Sequence, residues 1–100
     1  MIKVKAIIRL YPSDVGRKTP FLSGYRPLFN FVAQMKTSGM ITLGDREEFC
    51  PGDQGIVEVD FVNEEYLGAI FGIGTSFTFG EGKAPVGEGE IKEILSNGHS

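Results

Sequence analysis

The chain has 100 residues, 41% of them hydrophobic and 23% charged, with a formal net charge of −3. These are the proportions of one ordinary globular domain, and the acidic balance argues against strong non-specific nucleic-acid binding, which draws its affinity from a basic excess. The single cysteine, Cys50, excludes an internal disulfide, and no His/Cys ligand set surrounds it as a zinc module requires.

Apolar residues recur at period two along the chain, and no window of helical length shows a period of 3.6. The start, Met1-Ile2-Lys3-Val4-Lys5, carries charge where a signal peptide needs an apolar core. With no apolar run of about 20 residues either, the expected location is cytoplasmic and no membrane partner is expected. Val4, Ala6, Ile8 and Leu10 share one face of the first strand, while Lys3, Lys5 and Arg9 share the other. Pro12, Ser13, Asp14 and Gly16 break that run. The next strand is expected over Tyr25–Met35, with Phe29, Phe31, Ala33 and Met35 alternating against Asn30 and Gln34. Pro27 donates no amide hydrogen, so its place is an edge or the mouth of a strand.

A short strand over Met40–Leu43, a polar loop over 44–48 and a Pro51-Gly52-Asp53 turn follow. Gly55–Val62 forms another strand, with Val57, Val59 and Phe61 on one face and Glu58 and Asp60 on the other. Residues 63–69 fit a loop, a helical turn or an edge strand equally. Phe71–Phe79 is expected as a strand with Phe71, Ile73, Phe77 and Phe79 on a common face. A last strand spans about Val86–Leu95, with Ile91 and Leu95 in phase, and residues 96–100 form a flexible tail. Strands with no covering helices must bury their apolar faces against one another, in a sandwich or a small barrel, and residues 1–95 form one such domain.

Catalytic constellations are not expected. The pairs Glu47-Glu48 and Glu64-Glu65 are adjacent in sequence, so on a strand their side chains point to opposite faces. Ser13, Ser23 and Ser38 lack a nucleophile elbow, and His99 lies in the tail. No GxxxxGK[ST] loop occurs, so no nucleotide is expected on this chain. The glycine-rich stretch 80–89 carries Glu81, Glu88 and, just beyond, Glu90, and reads as a turn connection rather than a phosphate cradle. No metal or cofactor is expected. Arg17, Lys18 and Arg26 with Tyr11 and Tyr25 form a basic-aromatic patch for a partner, or else Arg26 and Lys18 pair with Asp14 or another acid on the wall.

Gly16-Arg17-Lys18-Thr19-Pro20-Phe21, then Gly24-Tyr25-Arg26-Pro27 with Phe29 and Phe31, carry a more specific signal. They resemble the opening of the C-terminal (third) domain of elongation factor Tu-type translation GTPases, where a G-R-x-T-P-F loop precedes G-Y-R-P-x-F. Gly39-x-Ile41-x-Leu43, Pro51-Gly52-Asp53, Phe77 with Glu81-Gly82, and Val86-Gly87-x-Gly89 match in the same order. The resemblance spans roughly residues 3–95 and implies a small six-stranded antiparallel β-barrel, here as a stand-alone domain without its GTPase.

In that family the domain is a binding surface that packs against the GTPase domain and helps hold the T-stem of aminoacyl-tRNA. Carried over by position, Arg17, Lys18, Thr19, Tyr25 and Arg26 match the protein-docking surface, and Glu81, Gly82 and Lys83 match the RNA-facing loop. The sequence departs from the family in that loop: Gly80 replaces an arginine, Lys83 a glycine and Ala84 a basic residue. The segment Asn63–Ser76 is a few residues longer than its counterpart. The resemblance therefore implies a non-catalytic binding module that docks a protein partner linked to translation, such as a GTPase. Binding of aminoacyl-tRNA, and a regulatory or immunity-type competitor of the intact factor, are the alternatives.

Overall fold

Val4, Ala6, Ile8 and Leu10 are all buried, and Lys3, Lys5, Ile7 and Arg9, which alternate with them along β1 (Ile2–Leu10), keep contact with solvent. The same alternation builds β2 (Leu28–Val32), β3 (Met35–Thr42), β4 (Gln54–Phe61), β5 (Ser76–Gly80) and β6 (Pro85–Ser96). The computed structural model describes residues 2–32, 35–61, 72–82 and 84–96. Its strands close in the order β1-β4-β3-β2-β5-β6, and β6 pairs back onto β1. Every neighbouring pair is antiparallel. The fold is thus all-β, a closed six-stranded antiparallel barrel with no helix among the described residues. Closure leaves no strand edge unpaired, which removes the usual template for edge-to-edge association. No helix long and apolar enough to cross a membrane occurs among the described residues.

Inside, Phe29 packs edge-on against Phe61 at 5.0 Å and against Phe77 at 5.5 Å. Ring pairs of this geometry add about 0.5–1.5 kcal/mol beyond the area they bury. Phe77 and Phe79 lie opposite Gly89 and Gly87 across the β5–β6 ladder. A Cβ on Gly87 would stand 2.3 Å from Phe79 Cζ and 2.7 Å from the Arg9 carbonyl oxygen; one on Gly89 would stand 2.6 Å from the Ile7 carbonyl oxygen. The Gly-x-Gly pair of β6 is therefore a packing device, and the connection from β5 is the short turn over 81–84.

Three expectations are corrected. The expected strand Tyr25–Met35 is divided: Tyr25 makes an isolated bridge to Ile41, Pro27 is buried at the mouth of β2, and Met35 opens β3 opposite Val32. The chain reverses there without glycine or proline, so periodicity ran through the hairpin unbroken. The expected strand from Phe71 begins only at Ser76, because Gly74 (φ 90°) turns the chain and the Gly72 N–H donates to Thr75 Oγ1. Ile73 is accordingly 71% exposed instead of sharing the buried face of Phe77. Most of the Asn63–Ser76 segment, Phe71 included, lies outside the described residues.

Leu95 is out of phase with buried Ile91, being 38% exposed. Register shifts opposite Lys3/Val4 and Lys5/Ala6 insert extra residues into β6 and break the alternation. The strand reaches Ser96, paired with Lys3, and residues 97–100, His99 among them, lie outside the described residues.

Gly87→Ala is expected to destabilise the barrel by about 2–3 kcal/mol, a fall in Tm on the order of 10–20 °C, because the added methyl meets both a core ring and a backbone carbonyl. Ile73→Ser should change Tm by no more than a few degrees. Thermal melts followed by circular dichroism compare the two, and equal effects would contradict the packing described for Gly87.

Candidate functional site

In an antiparallel barrel alternate connections fall at the same end, so residues 11–27, 43–53 and 81–84 meet. The first must cross that end to carry the chain from β1 to β2, two strands being interposed on either path. It crosses with apolar residues turned inward. Phe21 and Phe49 exchange reciprocal backbone hydrogen bonds, of 3.0 and 2.9 Å, and the Ile41 N–H donates to the Tyr25 carbonyl at 2.9 Å. The Phe21 ring stacks on Phe49 at 5.3 Å and on Tyr25 at 4.5 Å. Phe21 is 2% exposed, so this loop is a plug sealed into the core rather than a free strap.

Tyr25 carries the plug to the surface. The Arg17 guanidinium lies over its ring, 4.9 Å from the centroid. Arg17 Nε donates to the Thr19 carbonyl at 2.9 Å, and Nη2 donates to Thr19 Oγ1 and the Pro20 carbonyl, both at 3.1 Å. Nη1 pairs with Glu81 Oε2, the same oxygen that accepts a hydrogen bond from the Tyr25 hydroxyl. The cross-strand pair Leu28–Gly80 brings residue 25, shortly before β2, beside residue 81, just after β5.

The donors set the electrostatics. The Tyr25 hydroxyl, and then Arg17, hold the Glu81 carboxyl below its ordinary range against the opposing effect of partial burial. Burial first, and then the Glu81 carboxylate, push the Tyr25 phenol well above its ordinary value, with Arg17 partly offsetting them. A second cation mirrors the first: Arg46 lies 4.6 Å over the Phe49 ring and 3.9 Å from Asp53.

The sequence-predicted residues thus separate into distinct roles. Arg17, Thr19 and Tyr25 form one cluster, and Glu81, expected in a separate RNA-facing loop, is its acid. Lys18 and Arg26 adjoin Arg17 and Tyr25 in the chain and are exposed, and neither pairs with Asp14 or with any other acid among the described residues. Gly82 is exposed, and Lys83 lies outside the described residues. Tyr11 belongs elsewhere, its hydroxyl donating to Glu88 beneath Arg9.

Glu47 and Glu48 are exposed, and Glu64-Glu65 lie outside the described residues. Ser23 Oγ accepts the Leu43 N–H, so its role is to fasten the loop. Cys50 is half-buried, and burial followed by Glu48 and Asp53 raises its thiol above the ordinary value. Val15 and Leu22, 66% and 62% exposed, add aliphatic surface to the crossing loop. A larger concavity of about 600 Å³ on the outer wall, lined by Arg9, Asn30, Gln54, Thr78 and Glu88 among others, includes none of the cluster residues.

Sequence reasoning missed the Arg17–Glu81–Tyr25 link and the Phe21–Phe49 plug. Both join residues far apart in the chain, and only the shared end of the barrel brings them together. Because the Glu81 carboxyl is lowered from 4.5 in the folded state, its stabilisation is present above that pH and is lost as pH falls through the folded value. The Tm advantage of the wild type over Glu81→Gln should therefore hold near neutrality and shrink as the pH falls below 4.5 and through the lowered folded value. Melts across the acid range test this, and a constant difference would remove the linkage. No protein-family model matches the chain.

Proposed function

We propose that the chain is a non-catalytic binding module, resembling the C-terminal domain of elongation factor Tu-type GTPases, that docks a protein partner linked to translation. The docking surface in this reading is Arg17, Lys18, Thr19, Tyr25 and Arg26. One observation carries it: the crossing loop that seats Arg17 and Tyr25 also presents Lys18 and Arg26, exposed and without an acid partner among the described residues, together with the exposed aliphatics Val15 and Leu22. Arginine and aromatic side chains are enriched at protein interfaces, and Arg17 and Tyr25, already held by Thr19, Pro20 and Phe21, have little ordering entropy left to lose.

The closed six-stranded barrel is compatible with the resemblance without choosing among its functions. Aminoacyl-tRNA binding draws less support, since Gly80 and Ala84 stand where the family's loop carries basic residues and the net charge is −3.

Pull-down from native lysate with and without ribonuclease tests the reading. Nuclease-resistant recovery of one protein is expected, reduced at least about tenfold by Lys18→Ala/Arg26→Ala, as the loss of two interface cations implies. Recovery of tRNA alone, abolished by nuclease, would overturn docking in favour of the RNA role. Displacement of intact elongation factor from that protein by excess barrel would mark the chain as a competitor.

A further inference from the structure

We propose that the outer wall of the barrel carries a binding site for a neutral oligosaccharide, in the concavity of about 600 Å³ that crosses β2, β5, β6, β1 and β4. The site shares no residue with the docking surface and does not depend on it.

Register builds the site. Asn30 stands opposite Thr78, Thr78 opposite Glu88, Glu88 opposite Arg9, and Arg9 opposite Gln54. Each alternates with inward-facing residues along its own strand, so the five side chains leave the outer face in one row. Four strand spacings make that row about 19 Å long. Ser76, Glu90 and Ile7, paired in the same way, form the row beside it.

The wall dips here for a reason inside the barrel. Gly87 and Gly89 flank Glu88 and offer no side chain to the core, so β6 settles against Phe79 and Phe77 more closely than any Cβ would allow. The resulting hollow falls within the range of about 300–1,000 Å³ that ligand sites occupy.

Chemistry selects the occupant. Charge cancels within the hollow: Arg9 lies 4.0 Å from Glu88, and Lys92 pairs with Glu90 at 3.1 Å. Hydrogen-bonding capacity does not cancel. The Arg9 guanidinium, the Gln54 amide and the Ser76 and Thr78 hydroxyls make no side-chain hydrogen bond among the described residues. Asn30, Glu88, Arg9 and Gln54 end in planar groups with two polar atoms side by side, a shape that engages adjacent hydroxyls in pairs. Half-buried Ile7 and Phe31 supply apolar area for the C–H face of a sugar ring. Tyr11 presets the centre, its hydroxyl donating to Glu88 at 2.9 Å while Arg9 lies over its ring. A peptide finds no free edge for strand addition on a closed barrel, and nucleic-acid phosphates would meet Glu88 and Glu90.

The test is an amide NMR titration of the intact, isotope-labelled chain with cellotriose, maltotriose and triacetylchitotriose. Trialanine and oligouridylate serve as controls. At least one trisaccharide is expected to give saturable shifts centred on Asn30, Gln54, Ser76 and Thr78. Arg9→Ala should weaken that binding roughly tenfold and Gln54→Ala roughly threefold, as the loss of a charged and of a neutral hydrogen bond implies. Both side chains are exposed, so neither variant should lower Tm by more than a few degrees. Lys18→Ala/Arg26→Ala should leave sugar binding unchanged, which separates this site from the docking surface.

Absence of saturable shifts with all three sugars, shifts centred elsewhere, or binding indifferent to both Arg9→Ala and Gln54→Ala would overturn the site. Tighter binding of trialanine or oligouridylate at the same residues would overturn the carbohydrate assignment.

Discussion

A closed antiparallel barrel removes its strand edges but leaves two open ends, and an unfilled end exposes the core to water. Here the connection from β1 to β2 has to cross one of those ends to reach its strand, and it fills the opening with Phe21, stacked on Phe49 and Tyr25. The rest of the end depends on that stacking. Because Phe21 is anchored by reciprocal backbone bonds to Phe49, Tyr25 has a fixed position, and Arg17 has a ring to lie on. A loop bound in this way behaves as part of the scaffold, with its backbone held against the core at Phe21 and Tyr25.

The charges follow a different logic from the packing. Along the wall, cross-strand neighbours of opposite sign neutralise one another, as in the pairing of Lys5 with Glu93 and Arg9 with Glu88. Such pairs contribute little stability when exposed. At the plugged end the same economy fails: Arg17 has an acid, and its chain neighbour Lys18 has none among the described residues.

Much of the barrel was legible in the chain because period-two alternation is a local property. Val4 to Leu10 and Val57 to Phe61 show their buried faces directly. Legibility failed where parity changes without a local signal. The hairpin between Val32 and Met35 reverses the chain with no turn residue, and the register shifts in β6 carry Leu95 off the face of Ile91. At Gly72–Thr75 the signal was present but ambiguous, since small residues alternating with large ones suit a strand and a glycine turn alike.

About six period-two strands, the absence of helix-period segments and, through the resemblance, the choice of Arg17, Lys18, Thr19, Tyr25, Arg26 and Glu81 as candidates came from the sequence alone. Composition, alternation and short motifs are carried by neighbours in the chain. Only the tertiary structure decided that Glu81 faces Arg17 and Tyr25, that Phe21 meets Phe49, and that Tyr11 belongs with Glu88 instead. Those contacts depend on which strand ends share one end of a closed barrel and on the register of Leu28 against Gly80. Register and closure are set by the packing of the whole core at once, so no stretch of sequence contains them.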